Sequence, residues 1–67
     1  MDIWEAIYKG KEVLRKAGVT KSIELYEAQQ LNDYTWYLAY VHRDSWHGYD
    51  EYKVWIDRND EVIHIVL

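Results

Sequence analysis

The sequence contains no cysteine, proline or phenylalanine and only three glycines among its 67 residues. Without cysteine there is no disulfide framework, no thiolate nucleophile and no thiolate ligand for zinc. The glycines are scattered along the chain, so they form no phosphate-binding loop. The absence of cysteine fits a reducing compartment, and we expect the protein in the cytoplasm. The alternative is a mature piece of a longer exported precursor.

Long hydrophobic runs are also missing. No apolar stretch approaches the roughly 18 residues that a helix needs to cross a membrane. The N-terminal stretch MDIWEAIYKG is amphipathic and acidic at its start, which is unlike a secretory signal. We therefore expect no membrane partner.

Positive charge is scarce in most of the chain. Residues 1–21 hold five Lys or Arg and three Asp or Glu, for a net charge of +2. Residues 22–67 hold three Lys or Arg and nine Asp or Glu, for a net charge of −6. Binding to a nucleic-acid backbone requires clustered cations. The acidic second part therefore argues against a nucleic-acid partner.

Aromatic residues are the most prominent feature that is present. The chain has four Trp and seven Tyr, and each of these rings carries a polar N–H or O–H group. Such rings suit half-buried positions better than a sealed core. A chain of 67 residues has room for one small domain, which we place at residues 1–67.

One helix is predicted at about residues 2–17. Asp2 followed by Glu5 is typical of a capping box at a helix start. Gly18 is a typical helix-end signal, with Val19 placed to pack on the last turn. Between these ends, apolar or small residues recur every three or four positions and share one face. They are Ile3, Ala6, Ile7, Gly10, Val13, Leu14 and Ala17. The internal glycine either weakens the helix or lets another backbone approach it closely.

After the helix the pattern changes to the alternation of β-strands. Four stretches show this alternation: SIELYEAQ (22–29), YTWYLAYVHR (34–43), EYKVWID (51–57) and EVIHIVL (61–67). The turn signals between them are Asn32–Asp33, the loop DSWHGY at 44–49, and Asn59–Asp60. Residues 21–31 also tolerate a second helix, which stays an open alternative. The predicted fold class is α+β, with one N-terminal helix packed on a four-stranded antiparallel β-meander.

The hydrophobic pattern also predicts how the last two strands pair, because a slip by one residue moves every side chain to the other face. If Asn59 and Asp60 form a two-residue turn, most apolar residues of both strands fall on one side. The pairs on that side are Ile56–Ile63, Val54–Ile65 and Tyr52–Leu67. The pairs on the other side are Asp57–Val62, Trp55–His64 and Lys53–Val66.

This register defines a core face and an outer face, and the helix can cover only one of them. In the second strand we place Trp36, Leu38 and Tyr40 inward. The outer face then carries a large apolar and aromatic surface, which in a soluble protein is typical of a binding site. It comprises Tyr37, Ala39, Val41, Trp55, Val62, His64 and Val66, with Tyr26 joining from the first strand. Such rings also stabilise a thin sheet by cross-strand contact, and we weigh the two roles about equally.

From these outward residues we predict a protein-binding site, because Tyr and Trp are enriched at the hot spots of interfaces. Trp46 is added from the 44–49 loop, where a large ring has little structural reason to lie. The predicted protein-binding residues are Tyr26, Tyr37, Trp46, Trp55 and His64.

Residues for catalysis or metal binding form no recognisable pattern. His42 and His47 lie five positions apart with Asp44 and Asp50 nearby, a spacing that fits no known metal-ligand motif. Neither of the two serines lies in a nucleophile elbow. We predict no catalytic residue, no cofactor and no metal, and we interpret the protein as a non-enzyme.

From about residue 11 to the end, the chain resembles the PepSY domain family. The resemblance rests on RKAGV at 15–19, the strand YTWYLAYV at 34–41 and YKVWIDRNDEVIHIV at 52–66. Asp60 departs from the family pattern, which often has glycine at that turn. The resemblance implies a non-catalytic domain, sometimes an inhibitor of peptidases. It also implies an exported or membrane context, which differs from the cytoplasmic one expected from composition.

Together these features predict a small non-catalytic protein-interaction domain. It would act as an inhibitor or regulator that binds a protein partner through the aromatic sheet face and the 44–49 loop. The alternative is a self-associating structural module that forms a homodimer through its open sheet face.

Overall fold

The computed structural model describes residues 1–44, 48–59 and 62–67, with Asp44 described by its backbone alone. One helix precedes four strands. In chain order the elements are α1 (Ile3–Lys16), β1 (Glu24–Gln30), β2 (Thr35–Asp44), β3 (Gly48–Asp57) and β4 (Val62–Val66). The strands form one antiparallel sheet in the order β1-β2-β3-β4. This meander with one helix confirms the predicted α+β fold class.

Both ends of α1 are capped as the sequence predicts. At the start, the side chain of Asp2 accepts a 2.8 Å hydrogen bond from the backbone N–H of Glu5. At the end, Gly18 has a positive φ of 102°. Its geometry lets the backbone N–H of Val19 donate to the carbonyl of Leu14 at 2.9 Å. This closing bond turns the side chain of Val19 into the core.

The core lies between α1 and one face of the sheet. The three side chains of β2 predicted to point inward are all buried there, and Leu38 and Tyr40 are completely inaccessible. The buried cluster consists of Ala6, Leu14, Val19, Ile23, Trp36, Leu38, Tyr40, Val54 and Ile56. Its members come from α1, β2, β3 and the α1–β1 connection, so the helix and the central strands bury each other.

The hydroxyl of Tyr40 reaches into the backbone of α1. It donates a 2.6 Å hydrogen bond to the carbonyl of Ile7. Burial raises the pKa of Tyr40, and a backbone hydrogen bond from Lys11 acts in the opposite direction. Gly10 makes the approach possible, because a methyl group there would overlap the Tyr40 hydroxyl and lie 2.7 Å from Cδ1 of Leu38. The internal glycine therefore admits a side chain of the sheet, and not the backbone that the sequence suggested.

β1 is an edge strand, so the alternative of a second helix over residues 21–31 is wrong. Its pairing with β2 shifts register around Tyr26, which is the extra residue of a β-bulge. The turn into β2 is organised by Asn32, whose side-chain oxygen accepts hydrogen bonds from two following backbone N–H groups at 2.8 and 2.9 Å. The predicted turn at Asn32–Asp33 is thereby confirmed.

The pairing of β3 with β4 follows the predicted register only in part. The pairs that agree are Lys53–Val66, Val54–Ile65 and Trp55–His64. Beyond Trp55 the register shifts, and Ile56 pairs with Val62. The predicted pair Ile56–Ile63 is therefore wrong, and Ile63 is 55% exposed instead of facing the core. Two more predicted pairs are absent from the described ladder, Asp57–Val62 and Tyr52–Leu67.

The predicted 44–49 loop is also too long. β2 continues through Asp44, and β3 already starts at Gly48, which pairs with Asp44 and has a positive φ of 87°. The intervening residues 45–47 lie outside the described residues, as do Asp60 and Glu61 at the predicted β3–β4 turn.

The helix cap gives a first testable prediction. Asp2→Ala should lower the free energy of unfolding by about 1 kcal/mol, because the first-turn N–H groups lose their acceptor. Asp2→Asn is the matched control, since the amide oxygen can still accept the hydrogen bond from Glu5. Urea denaturation of both variants measures the difference, and an Asp2→Ala midpoint equal to that of the wild type would rule out the cap.

The approach of Tyr40 to Gly10 gives a second prediction. Gly10→Ala should destabilise the fold by about 1–3 kcal/mol through overpacking, although alanine is intrinsically the better helix former by about 1 kcal/mol. In a Tyr40→Phe background the loss should be smaller, because the hydroxyl that the new methyl group meets is gone. A double-mutant cycle measured by urea denaturation isolates this coupling. A Gly10→Ala protein that is more stable than wild type would contradict the contact.

The shifted β3–β4 register gives a third prediction. Ile56→Ala should cost about 2–5 kcal/mol, as truncation of a buried isoleucine does. Ile63→Ala should change stability by no more than about 0.5 kcal/mol, because the side chain is exposed. Thermal unfolding of the two variants compares the same substitution on neighbouring strands. Equal losses would restore the regular register that the sequence predicts.

Candidate protein-binding face

The sheet has an outer face, defined as the side that points away from α1. Because side chains alternate along a strand, the residues that share this face follow from the observed pairing. They are Glu24, Glu27 and Gln29 of β1; Thr35, Tyr37, Ala39, Val41 and Arg43 of β2; Tyr49, Glu51, Lys53, Trp55 and Asp57 of β3; and His64 and Val66 of β4. No described helix or strand packs on this side of the sheet.

Three rings lie side by side across the outer face, and we call Tyr37, Trp55 and His64 the aromatic row. The ring centroids of Tyr37 and Trp55 are 4.9 Å apart with the planes tilted by 43°. Those of Trp55 and His64 are 5.3 Å apart with a tilt of 49°. The row crosses β2, β3 and β4 at directly opposed positions. Contacts at these distances hold each ring in place against its neighbours.

The small apolar residues beside the aromatic row are less exposed than the sequence suggests. Ala39 and Val41 point outward as predicted, yet Ala39 is only 1% exposed and Val41 is also buried. Neither belongs to the cluster under α1. Ala39 lies between Glu27 and Lys53 of the neighbouring strands, and the aliphatic parts of such long side chains cover apolar surface. The outer face therefore exposes less aliphatic area than expected, and the rings dominate what remains.

The hydroxyl of Tyr37 lies in a charged environment. Burial is the main cause of a raised pKa at Tyr37, and Lys53 opposes it while Glu27, Glu51 and Tyr26 add to it. Lys53 is itself 3.5 Å from a carboxylate oxygen of Glu51. Of these charged residues, Glu27 and Lys53 lie in the row of the sheet next to Tyr37, the row that contains Ala39, and Glu51 lies one row further on.

The predicted site residues are only partly brought together. Tyr37, Trp55 and His64 form one row, and Tyr26 is the bulge residue of β1, next to Glu27 of the outer face. Trp46 lies outside the described residues. Val62, which the sequence also placed on this face, pairs with Ile56 after the register shift. Four of the five predicted residues therefore lie on or beside the outer face.

Sequence reasoning missed a second pair of exposed rings, on the solvent side of α1. Trp4 is 76% exposed, the highest value among the three tryptophans that the structure describes, and Tyr8 is similarly open. Their spacing of four residues puts them on one side of a helix, opposite the apolar series. That spacing was the available signal. We assign no partner to these two rings, but their substitution provides a matched control for the rings of the outer face.

His42 and Asp50, which lie opposite each other on β2 and β3, both contact the segment that leads into β1. His42 lies with its Nδ1 atom 2.7 Å from the carbonyl oxygen of Ser22, which fixes the chain entering β1. Asp50, opposite His42 in the sheet, forms a 2.7 Å ion pair with Lys21. In the part of the chain that the structure describes, no three His, Asp or Glu residues converge in a way that could hold a metal ion.

A shallow cleft of about 180 Å³ runs between α1 and β3. It is lined by Lys9, Glu12, Val13, Lys16 and Ile56. Its lysines pair with acidic residues of the same helix, Lys9 with Glu5 at 3.3 Å and Lys16 with Glu12 at 3.5 Å. The cleft therefore presents a neutralised rim and no convergent set of polar groups, which small-molecule sites require.

No family model, curated protein or solved structure matches the chain. The resemblance to PepSY domains therefore stays a prediction. No helix within the described residues has the length and apolar character needed to cross a bilayer. The geometry and charge of the outer face are accordingly the main indication of function.

Proposed function

We propose that the protein is a small, non-catalytic interaction domain of the cytoplasm that binds a protein partner through its outer face. It acts as an inhibitor or regulator by covering a surface of that partner. The observation that carries the proposal is the aromatic row of Tyr37, Trp55 and His64, which lies on a face that no described element covers.

The geometry of the row favours binding because the rings are held before a partner arrives. Tyr37 and Trp55 are half-buried and touch across the sheet. Rings fixed in this way lose little conformational freedom on association. Tyrosine and tryptophan are also the side chains most enriched among residues that dominate binding energy. The outer face thus provides a rigid aromatic centre on a regular scaffold.

The charges around the row indicate the chemistry of the partner. The strand positions of the outer face carry four carboxylates, from Glu24, Glu27, Glu51 and Asp57, against two cations, from Lys53 and Arg43. An acidic rim around aromatic rings complements a basic protein surface, whose Arg or Lys side chains can also stack on Trp or Tyr. The same rim disfavours a homodimer through this face, because acidic groups of two copies would meet.

The variant Tyr37→Ala/Trp55→Ala tests this proposal. Loss of a central ring costs about 2 kcal/mol or more of binding free energy, so the double variant should lose its partner. It should remain folded, because both rings lie outside the core under α1. The measurement is affinity capture from lysate of the cells that make the protein, with quantitative mass spectrometry of the retained proteins and circular dichroism of each bait.

The control is Trp4→Ala/Tyr8→Ala, which also removes one Trp and one Tyr, but from the solvent side of α1. The proposal is supported if some proteins are retained by both the wild type and this control but are lost with Tyr37→Ala/Trp55→Ala. Moderate salt should release these proteins. Identical sets of retained proteins for both double variants would contradict it and leave the aromatic row as a stabiliser of a thin sheet. The contribution predicted for Trp46 can be tested with Trp46→Ala in the same assay.

A further inference from the structure

β4 forms one edge of the sheet, and among the described residues β3 is the one strand that pairs with it. Alternate N–H and C=O groups of an edge strand point away from the sheet and are available to another strand. Natural edges are usually protected by charged residues or proline. The β4 sequence VIHIV contains no proline and no Asp, Glu, Lys or Arg. This edge is therefore chemically open to strand addition.

The opposite edge of the sheet is protected. β1 carries Glu24 and Glu27 on the outer face, and the bulge at Tyr26 interrupts its regular pairing. β4 also has a register shift, but it lies near the start of the strand, and His64 to Val66 pair regularly with β3. The two edges of one sheet thus differ in charge and in regularity, and only the β4 edge suits a second strand.

The residues of β4 are also poorly covered within one copy. Only Ile65 packs against the core cluster, since α1 lies over the other three strands. The exposed apolar side chains at this edge are Val62, Ile63, Val66 and Leu67. A strand placed beside β4 would shield these side chains as well as pair with the backbone.

We propose that β4 pairs antiparallel with β4 of a second copy of this chain, which extends the sheet to eight strands. A two-fold axis perpendicular to the sheet generates this arrangement and closes the assembly at two copies. A pair of β1 edges would bring like charges together, and a β1–β4 contact would leave open edges for further copies. Because β4 contains no Asp, Glu, Lys or Arg, pairing it with its own copy brings no acidic or basic side chains of that strand together, although each chain carries a net charge of −4.

The symmetry has a consequence for the outer face. An axis perpendicular to the sheet keeps both helices on one side and both outer faces on the other. The aromatic rows of the two copies then belong to one continuous face. This inference concerns the backbone edge of β4, which shares only His64 with the aromatic row. Tyr37→Ala/Trp55→Ala leaves the sequence of that edge unchanged, so either proposal can fail without the other.

The association should be weak, because a five-residue strand contact falls well below the area of a stable interface. Sedimentation equilibrium should therefore cover about 10 µM to 1 mM, where weak dimers become populated. We expect a reversible monomer–dimer equilibrium. In parallel, amide chemical shifts of ¹⁵N-labelled protein measured over the same concentrations should change in β4 and stay constant in β1.

A charge at the edge provides the mutational test. Ile63→Lys should weaken the dimer by about tenfold or more, because it places a charged side chain on an edge that otherwise carries no Asp, Glu, Lys or Arg and that the second strand must approach. Leu31→Lys is the matched control, since it also replaces an exposed aliphatic side chain with lysine, but in the β1–β2 turn. Leu31 is 46% exposed and Ile63 is 55% exposed. The Leu31→Lys variant should dimerise like the wild type, and so should Tyr37→Ala/Trp55→Ala.

Two results would overturn the inference. One is a wild-type protein that stays monomeric throughout the concentration range. The other is a dimer that Tyr37→Ala/Trp55→Ala abolishes and Ile63→Lys leaves unchanged, which would place the interface on the outer face. If Ile63→Lys does not fold, the concentration-dependent amide chemical shifts of the wild type still test the interface. Chemical-shift changes confined to residues outside β4 would exclude it.

Discussion

The position of α1 depends on the hydroxyl of Tyr40, which enters the helix where Gly10 has no side chain. The hydroxyl donates to the Ile7 carbonyl at 2.6 Å, and the Tyr40 ring is completely buried beside Leu38. A buried phenol needs such a partner, since an unsatisfied hydroxyl would cost about 1–3 kcal/mol. One contact therefore links the middle of the helix to the central strand β2, on the face of the sheet where the buried apolar side chains lie.

The side of the sheet that α1 covers determines which residues the rest of the surface exposes. Once Tyr40 points to α1, Tyr37 must point the other way, and its cross-strand neighbours Trp55 and His64 share the uncovered side. The helix also leaves β4 thinly covered. The acidic rim around the aromatic row is the basis for the proposed basic partner, and the absence of Asp, Glu, Lys and Arg from β4 is the basis for the proposed pairing with a second copy. The outer face and the β4 edge both have exposed apolar groups, but they differ in the charged residues that they contain.

The sequence predicts the parts of this fold that depend on strong local signals. Asp2 and Gly18 mark the helix ends, and period-two alternation places Tyr40 and Tyr37 on opposite faces. It does not predict the bulge beyond Trp55, because Val62 and Ile63 are equally apolar and either can face Ile56. Nor does it show that Ala39 is buried on the outer face, because that burial depends on the spatial pairing of three strands. Trp4 and Tyr8 are also exposed on α1, and their four-residue spacing is a signal that the sequence contains.

Site-specific photo-crosslinking tests the central claim, that the outer face is a binding surface, most directly. A photoreactive side chain at Gln29 lies in line with the aromatic row on β1 and is exposed, and the same group at Tyr8 lies on the opposite layer. In the cells that make the protein, the Gln29 probe should form a discrete adduct with a basic protein, and excess wild-type protein should suppress that adduct. An adduct pattern identical for the two positions, or adducts at Tyr8 alone, would contradict the account.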